Sequence, residues 1–401
     1  MREGCRALAL RLRGLAVFRG LLDEPLVRRM QRLLEAGGWG QDERELVSAW
    51  GDFAAALFAA GPDWTSALLE LVLQNENCCL AQSCKQGAAP EALRGCLESE
   101  LQFLTGLAGY TGGDIRAALG EAGAFLPAWQ VHPADFAAEY ARRLADVGRT
   151  GYGIFARYRV FTVEDARLVP VKHPDRQRLA ELPGYEPERQ KVLANTKALL
   201  EGRPAANVLL YGDAGTGKSS TVKAIANEYA GEGLRLVEVK KNQLYEIPEL
   251  MDALAENPLK FILFIDDLSF TANDDNFAAL KAILEGSVGG RARNIAVYAT
   301  SNRRHLIKET MSDREGDDIH HGDTMQELMS LSARFGLTVT FGRPDKDRYL
   351  QIVQALAAQN GLACPGPELA VRAEAFAIRA GGRSPRAARQ FVELLRAGVQ
   401  V

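Results

Sequence analysis

Eight consecutive residues, Gly212, Asp213, Ala214, Gly215, Thr216, Gly217, Lys218 and Ser219, fit the pattern G-x-x-x-x-G-K-[ST]. The chemistry of that pattern is phosphate binding. Glycines let the backbone curl until successive N–H groups face one centre, and a helix starting there adds the positive end of its dipole. Lys218 would reach the β- and γ-phosphates of a nucleotide, and the Ser219 hydroxyl would ligand Mg²⁺. Ser220 continues the same turn and joins the candidate set. A second acidic signal follows 48 residues after Lys218, where KFILFIDD ends in Asp266 and Asp267. Asp266 suits a metal-holding role and Asp267 the orientation or activation of an attacking water.

Three further polar residues follow in order. NIAVYATSN ends in Asn302, which would sit beside a γ-phosphate. LSARFGLTVTF places Arg334 just ahead of a strand, and GGRSPRAARQF places Arg386 at a helix start, with Ser384 as N-cap and Pro385 at the first helical position. Between them, SDREGDDIHHGDT packs acids and two histidines into residues 312–324, read as a solvated insertion with a metal site as the alternative.

The phosphate loop requires a strand before it and a helix after it, and NVLLYG and SSTVKAIANEYA supply them. LRLVEV, KFILFIDD, NIAVYATSN and LTVTF read as further strands, with IPELMDALAEN and NFAALKAILEG as helices between. Short apolar strands alternating with helices predict a parallel sheet buried on both faces. RYRVFTVEDARLVPV alternates apolar and polar residues around Glu164-Asp165 and predicts a small hairpin. Residues 1–150 carry apolar residues at helical spacing and all four tryptophans, which are expected in its core. The expected organisation is a helical domain over 1–150, a hairpin and linker over 151–175, an α/β nucleotide-binding domain over 176–342 and a helical lid over 343–401.

Composition narrows the field. The chain has 401 residues, 47 % hydrophobic and 25 % charged, with a formal net charge of −3. These are globular values, and the near-neutral balance removes the main reason to expect a nucleic-acid coat or a polybasic membrane binder. No apolar run has the length of a spanning helix, so no membrane partner is expected. Arginines inside the first twenty residues fit an amphipathic helix better than a targeting segment. Six cysteines, four of them clustered at Cys78, Cys79, Cys84 and Cys96 without a CxxC pair, point to reduced thiols and a cytoplasmic setting.

Together these motifs resemble the AAA+ ATPases over about residues 170–398. The fold that the resemblance implies is a P-loop NTPase parallel sheet with a C-terminal helical lid, here preceded by an all-α domain. Lys218 and Ser219 then fall in Walker A, Asp266 and Asp267 in Walker B, Asn302 at sensor 1, Arg334 at the arginine finger and Arg386 at sensor 2. LAELPGYEPERQKVL resembles the superfamily segment that packs on adenine, which nominates Pro183, Gly184 and Tyr185. More narrowly, NVLLYGDAGTGKSS, KFILFIDDLSF, YATSNRRHLI and VPVKHPD resemble the bacterial DUF815 family of AAA+ ATPases.

The resemblance implies ATP and Mg²⁺ as cofactors and self-association. It also implies hydrolysis that remodels an unknown protein client, with Arg334 completing a neighbour's site because it lies at the far edge of the sheet from Lys218. Two departures stand out: Asp267 where the family pattern usually has glutamate, and Ala333 before the finger. The alternatives are a nucleic-acid loader, for which no binding motif is present, and a nucleotide-dependent switch without turnover. KKNQLYEIPEL lacks the glycine of a threading pore loop, so switch-like remodelling is expected over processive unfolding.

Overall fold

The computed structural model describes residues 1–40, 42–87, 89–269, 276–285, 292–302, 334–362 and 366–399. The acidic and histidine-bearing segment 312–324 lies outside the described residues. The chain forms two compact units, Met1–Arg157 and Tyr158–Val401.

The first unit is helical. Its core is built on Trp50, Phe53 and Trp64, packed with Trp129. Each of the three indole N–H groups finds a backbone carbonyl: Trp50 donates to Pro127 (3.0 Å), Trp64 to Leu107 (2.9 Å) and Trp129 to Tyr110 (2.9 Å). Trp39 is the exception, 44 % exposed, with the Arg6 guanidinium over its ring. Cys78, Cys79 and Cys84 lie on the helix Cys78–Gln86 and Cys96 on the helix Glu91–Ala108. Among the described residues no group of His, Cys, Asp or Glu is arranged to hold a metal.

One carboxylate fixes the chain path between the first helices. Glu100 is buried and accepts hydrogen bonds from three successive backbone N–H groups, Ala16 (2.7 Å), Val17 (3.1 Å) and Phe18 (2.9 Å). Removing it leaves buried donors without an acceptor, at about 1–3 kcal/mol each. Glu100→Ala is therefore expected to destabilise the unit by about 3 kcal/mol or more. All four tryptophans lie in this unit, so urea unfolding followed by tryptophan fluorescence reads it directly. A midpoint equal to the parent's would refute the role of Glu100.

The second unit holds a seven-stranded sheet of order β2-β1-β4-β5-β6-β3-β7. Its strands are β1 (Val160–Glu164), β2 (Arg167–Pro170), β3 (Val208–Gly212), β4 (Leu234–Val239), β5 (Lys260–Ile265), β6 (Ile295–Ser301) and β7 (Leu337–Phe341). Among the described residues β2 alone runs antiparallel, to β1; the other six strands, β1 included, pair in parallel. All seven residues of β6 are buried, as are all of β5 after Lys260. This is the burial that a covered parallel sheet requires.

Two features differ from the expectation. The expected hairpin forms between β1 and β2, and in addition β1 pairs in parallel with β4 (Val160↔Leu236) and lengthens the main sheet. Its turn falls on Asp165 and Ala166, both at positive φ (50° and 56°), the conformation a tight two-residue hairpin turn requires. The position of β7 also differs. It is an edge strand, yet it pairs directly with β3, Val208↔Leu337 through Gly212↔Phe341. What separates Arg334 from the phosphate loop is therefore strand direction. Arg334 precedes the amino end of β7, whereas the loop leaves the carboxyl end of β3. At roughly 3.3 Å per residue the strand length alone sets them about 15 Å apart.

Among the described residues three helices follow β7: Lys346–Gln359, Gly366–Arg379 and Pro385–Arg396. The last begins as its sequence predicts, with the Ser384 hydroxyl accepting from the Ala387 N–H (3.1 Å) and Pro385 in the first turn. Among the described residues no helix is long and apolar enough to cross a membrane.

Candidate functional site

The loop Gly212–Gly217 joins β3 to the helix Lys218–Tyr229. Gly212, Gly215 and Gly217 all have positive φ (138°, 76° and 92°), conformations that other residues adopt only under strain. Two of them are further fixed by neighbours. A Cβ at Gly212 would stand 2.1 Å from the Phe341 carbonyl oxygen, and one at Gly215 would meet Arg386 Cβ at 3.1 Å. The Arg386 N–H donates to the Gly215 carbonyl (3.1 Å), so the last lid helix docks on the loop backbone. Thr216 closes the loop internally by donating to the Asp213 carbonyl (2.8 Å).

Lys218 is buried, and its Nζ donates to the carbonyls of Gly212 (2.7 Å) and Asp213 (2.8 Å) and to Asn302 Oδ1 (3.0 Å). Burial pushes its pKa down, while the carboxylates of Asp213, Asp267 and Asp266 act to raise it. Asn302 in turn donates its Nδ2 to Asp267 Oδ1 (2.8 Å). Lysine, asparagine and aspartate thus form one hydrogen-bonded chain.

Sheet order creates this meeting. The strands β5, β6 and β3 are adjacent, so the residues after their carboxyl ends converge within about 5 Å per strand. Ligands of open α/β sheets bind at such carboxyl ends.

Asp266 Oδ1 accepts from Ser219 Oγ (2.6 Å), Thr300 Oγ1 (2.5 Å) and the Asp267 N–H (3.1 Å). The Thr300 hydroxyl itself accepts from the Asp267 N–H (2.9 Å). Thr300 was not among the residues singled out from sequence. It lies near the carboxyl end of β6, two positions before Asn302, which follows the strand. Asp267 has φ +52°, a left-handed conformation that aspartate tolerates better than most residues and that turns the chain out of β5.

These residues line a cleft of about 460 Å³. Ala214 through Ser220, Asp266, Asp267, Asn302 and Arg386 border it, and Pro183 and Tyr185 border it as well. Gly212, Asp213 and Gly184 do not; the first two act through the carbonyls that hold Lys218, and Gly184 packs on Ile352. The Tyr185 ring is 1 % exposed, stacked on Phe341 (5.4 Å between centroids) with the Arg348 guanidinium over it. Its hydroxyl donates to the Gly342 carbonyl (2.5 Å), and burial raises the phenol to about 12. Little of this ring remains for a ligand, so its contribution to the cleft is mainly structural.

Two basic residues of the cleft escaped the sequence reading. Arg189 is buried beside Glu186 (3.1 Å), and burial pushes its pKa down. Arg389 follows Arg386 by three positions, which places both on one helix face; that spacing in RSPRAARQF was the available signal. Arg334 does not border the cleft of its own chain.

A phosphate loop at the carboxyl ends of a parallel sheet, faced by strand-end carboxylates and a helical lid, is the arrangement of a P-loop fold. The family model described as "Protein of unknown function (DUF815)" matches residues 155–399, and the chain belongs to that family. Among solved structures, one point mutant of Thermotoga maritima RuvB is similar at 18 % identity and a TM-score of 0.38, over 55 % of this chain and 64 % of that one. A second point mutant of the same protein is similar at 17 % identity and a TM-score of 0.38, over 55 % of this chain and 65 % of that one. The match spans less than two thirds of either RuvB chain. No curated protein matches the chain in sequence.

Proposed function

We propose that the chain is a Mg²⁺-dependent ATPase that assembles with copies of itself and uses hydrolysis to remodel a protein client in switch-like strokes. The observation that carries the reading is the hydrogen-bonded chain from Lys218 through Asn302 to Asp267. It ties the group that senses phosphate charge to the group that faces the attacking water.

The donor set fits a hard divalent cation. Ser219 and Asp266 already share a hydrogen bond, Thr300 and the Asp267 N–H hold one Asp266 oxygen, and both carboxylates are exposed to the cleft. Magnesium held by Ser219 and Asp266 would neutralise charge on the β- and γ-phosphates. Lys218 contributes a fixed positive charge to the same phosphates, and the loop N–H groups orient them. Asn302 holds the Asp267 carboxylate in place, and Asp267 accepts a hydrogen bond from the attacking water. Arg386 places a guanidinium at the lid side of the cleft. Arg334 serves the cleft of a neighbouring copy.

Asp267→Asn is expected to keep ATP affinity and lose turnover by about 10²–10⁴, the usual worth of a positioned acid or base. Asp266→Ala is expected to weaken the Mg²⁺ dependence of both binding and turnover. Steady-state phosphate release and a nucleotide-binding isotherm measure the two effects. Turnover of Asp267→Asn at the parent rate would remove Asp267 from the chemistry. A parent chain that binds ATP tightly and never releases phosphate would leave a nucleotide-dependent switch in place of an ATPase.

A further inference from the structure

Residues 175–181 run as a strap between the phosphate-loop helix and the lid. On one side, Asn227 of the helix Lys218–Tyr229 donates its Nδ2 to the carbonyls of Asp175 (2.8 Å) and Gln177 (3.0 Å). On the other, Gln359 of the first lid helix donates to the Ala180 carbonyl (2.8 Å), and Arg389 of the last one donates to the Glu181 carbonyl (3.3 Å).

The Gln177 side chain joins the two sides. It is buried, and its amide satisfies both ends in one orientation, which the hydrogen-bond network assigns. Oε1 then accepts from both terminal nitrogens of Arg389, with Nη1 at 2.6 Å, and Nε2 donates to Ser220 Oγ at 3.1 Å. Ser220 stands in the first turn of the phosphate-loop helix, and Arg389 stands one turn beyond Arg386. Ser220, Glu181 and Arg389 all border the cleft. One buried amide therefore connects the element that holds phosphate to the element that covers it.

We propose that Gln177 and Arg389 form a clasp that fastens the lid to the phosphate-loop helix and sets how long a bound nucleotide stays. The proposal rests on the nucleotide reading of the cleft. Both are positioning residues: Gln177 acts through Arg389 and Ser220, and Arg389 acts through the lid helix that carries Arg386. A hydrogen bond to a guanidinium is among the stronger ones a neutral side chain can make. Breaking it at Gln177 removes the one side-chain link from the strap to Ser220 and loosens the helix Pro385–Arg396. That helix then keeps the Arg389–Glu181 carbonyl bond to the strap and the Arg386–Gly215 backbone bond to the loop, and the Gln359 and Arg348–Glu188 contacts still hold the first lid helix. The lid contributes Ile352, Leu356 and Pro385 to the cleft wall, so the clasp acts on release by holding that wall in place.

The test is release of a fluorescent ADP analogue, chased with excess ADP in a stopped-flow instrument, from full-length chains. Gln177→Ala and Arg389→Ala are each expected to release it about tenfold faster, the usual worth of one such bond. Association rates are expected to stay at the parent value. The double variant is expected to release no faster than the faster single one, because both remove the same contact. Gln177→Glu is expected to restore slow release, since a carboxylate accepts the same guanidinium fork.

Amide hydrogen exchange over residues 175–181, measured without nucleotide, is expected to speed up in Gln177→Ala. Release at the parent rate, multiplicative effects in the double variant, or release from Gln177→Glu as fast as from Gln177→Ala would each overturn the clasp. A parent chain that binds no ADP analogue would refute the nucleotide reading instead. The exchange measurement would then decide the clasp by itself, and unchanged exchange over 175–181 would sink it.

Discussion

Arg334→Ala is expected to lose ATP turnover by about 10³–10⁵, the range over which arginine fingers act, while binding ATP as tightly as the parent. The reason lies in strand direction. Arg334 precedes the amino end of β7, and the phosphate loop leaves the carboxyl end of β3, the strand that β7 pairs with. A guanidinium placed there does not border the cleft of its own chain. In the proposed assembly its fixed positive charge acts on developing phosphate charge in a cleft brought up by another copy.

Turnover per chain should accordingly rise with protein concentration until assembly saturates. Arg334→Ala and Lys218→Ala chains, each inactive alone, should recover part of the activity on mixing, because one interface of the mixture pairs an intact loop with an intact finger. A normal rate in Arg334→Ala would make this residue a bystander. Loss without rescue and without concentration dependence would place its action within one chain.

Lys218→Ala is expected to abolish tight ATP binding and, with it, the rise in melting temperature that ATP gives the parent by mass action. Lys218 is held by two loop carbonyls and by Asn302. Its substitution therefore removes a charge from the cleft and also unties the loop from Asn302, just after β6. The largest part of the effect is electrostatic. Phosphate oxygens moved from water into a half-enclosed cleft need a compensating cation, and burial makes each such charge act more strongly than at the surface. Calorimetric titration measures the affinity. ATP binding to Lys218→Ala with the parent's constant would refute the whole assignment of the cleft, including the roles of Ser219, Asp266 and Asp267.

Much of this molecule was legible along the chain. Eight contiguous residues carry the phosphate loop, and its conformation is a local matter of glycine φ angles and a helix start. Five of the six parallel strands, β3 to β7, are short runs read directly from the sequence, and the Ser384–Pro385 start of the last lid helix follows from cap chemistry that acts over three residues. The helical nature of the first unit and the burial of Trp50, Trp64 and Trp129 follow from apolar spacing and from the area these side chains remove from water.

Tertiary structure decided the rest, because parallel pairing joins residues that are far apart in the chain and periodicity does not encode strand order. Only the order β5-β6-β3 sets Asp266 against Thr300 and Asn302 against Lys218, 84 residues apart. The same order places β7 beside β3 rather than remote from it, and joins the hairpin to β4. Gln177 belongs to no motif in the sequence, and Arg389 reads as one more arginine of the last helix. Their meeting exists because the strap, the phosphate-loop helix and the lid are packed together, and packing between distant segments is set by the shape of the assembled core.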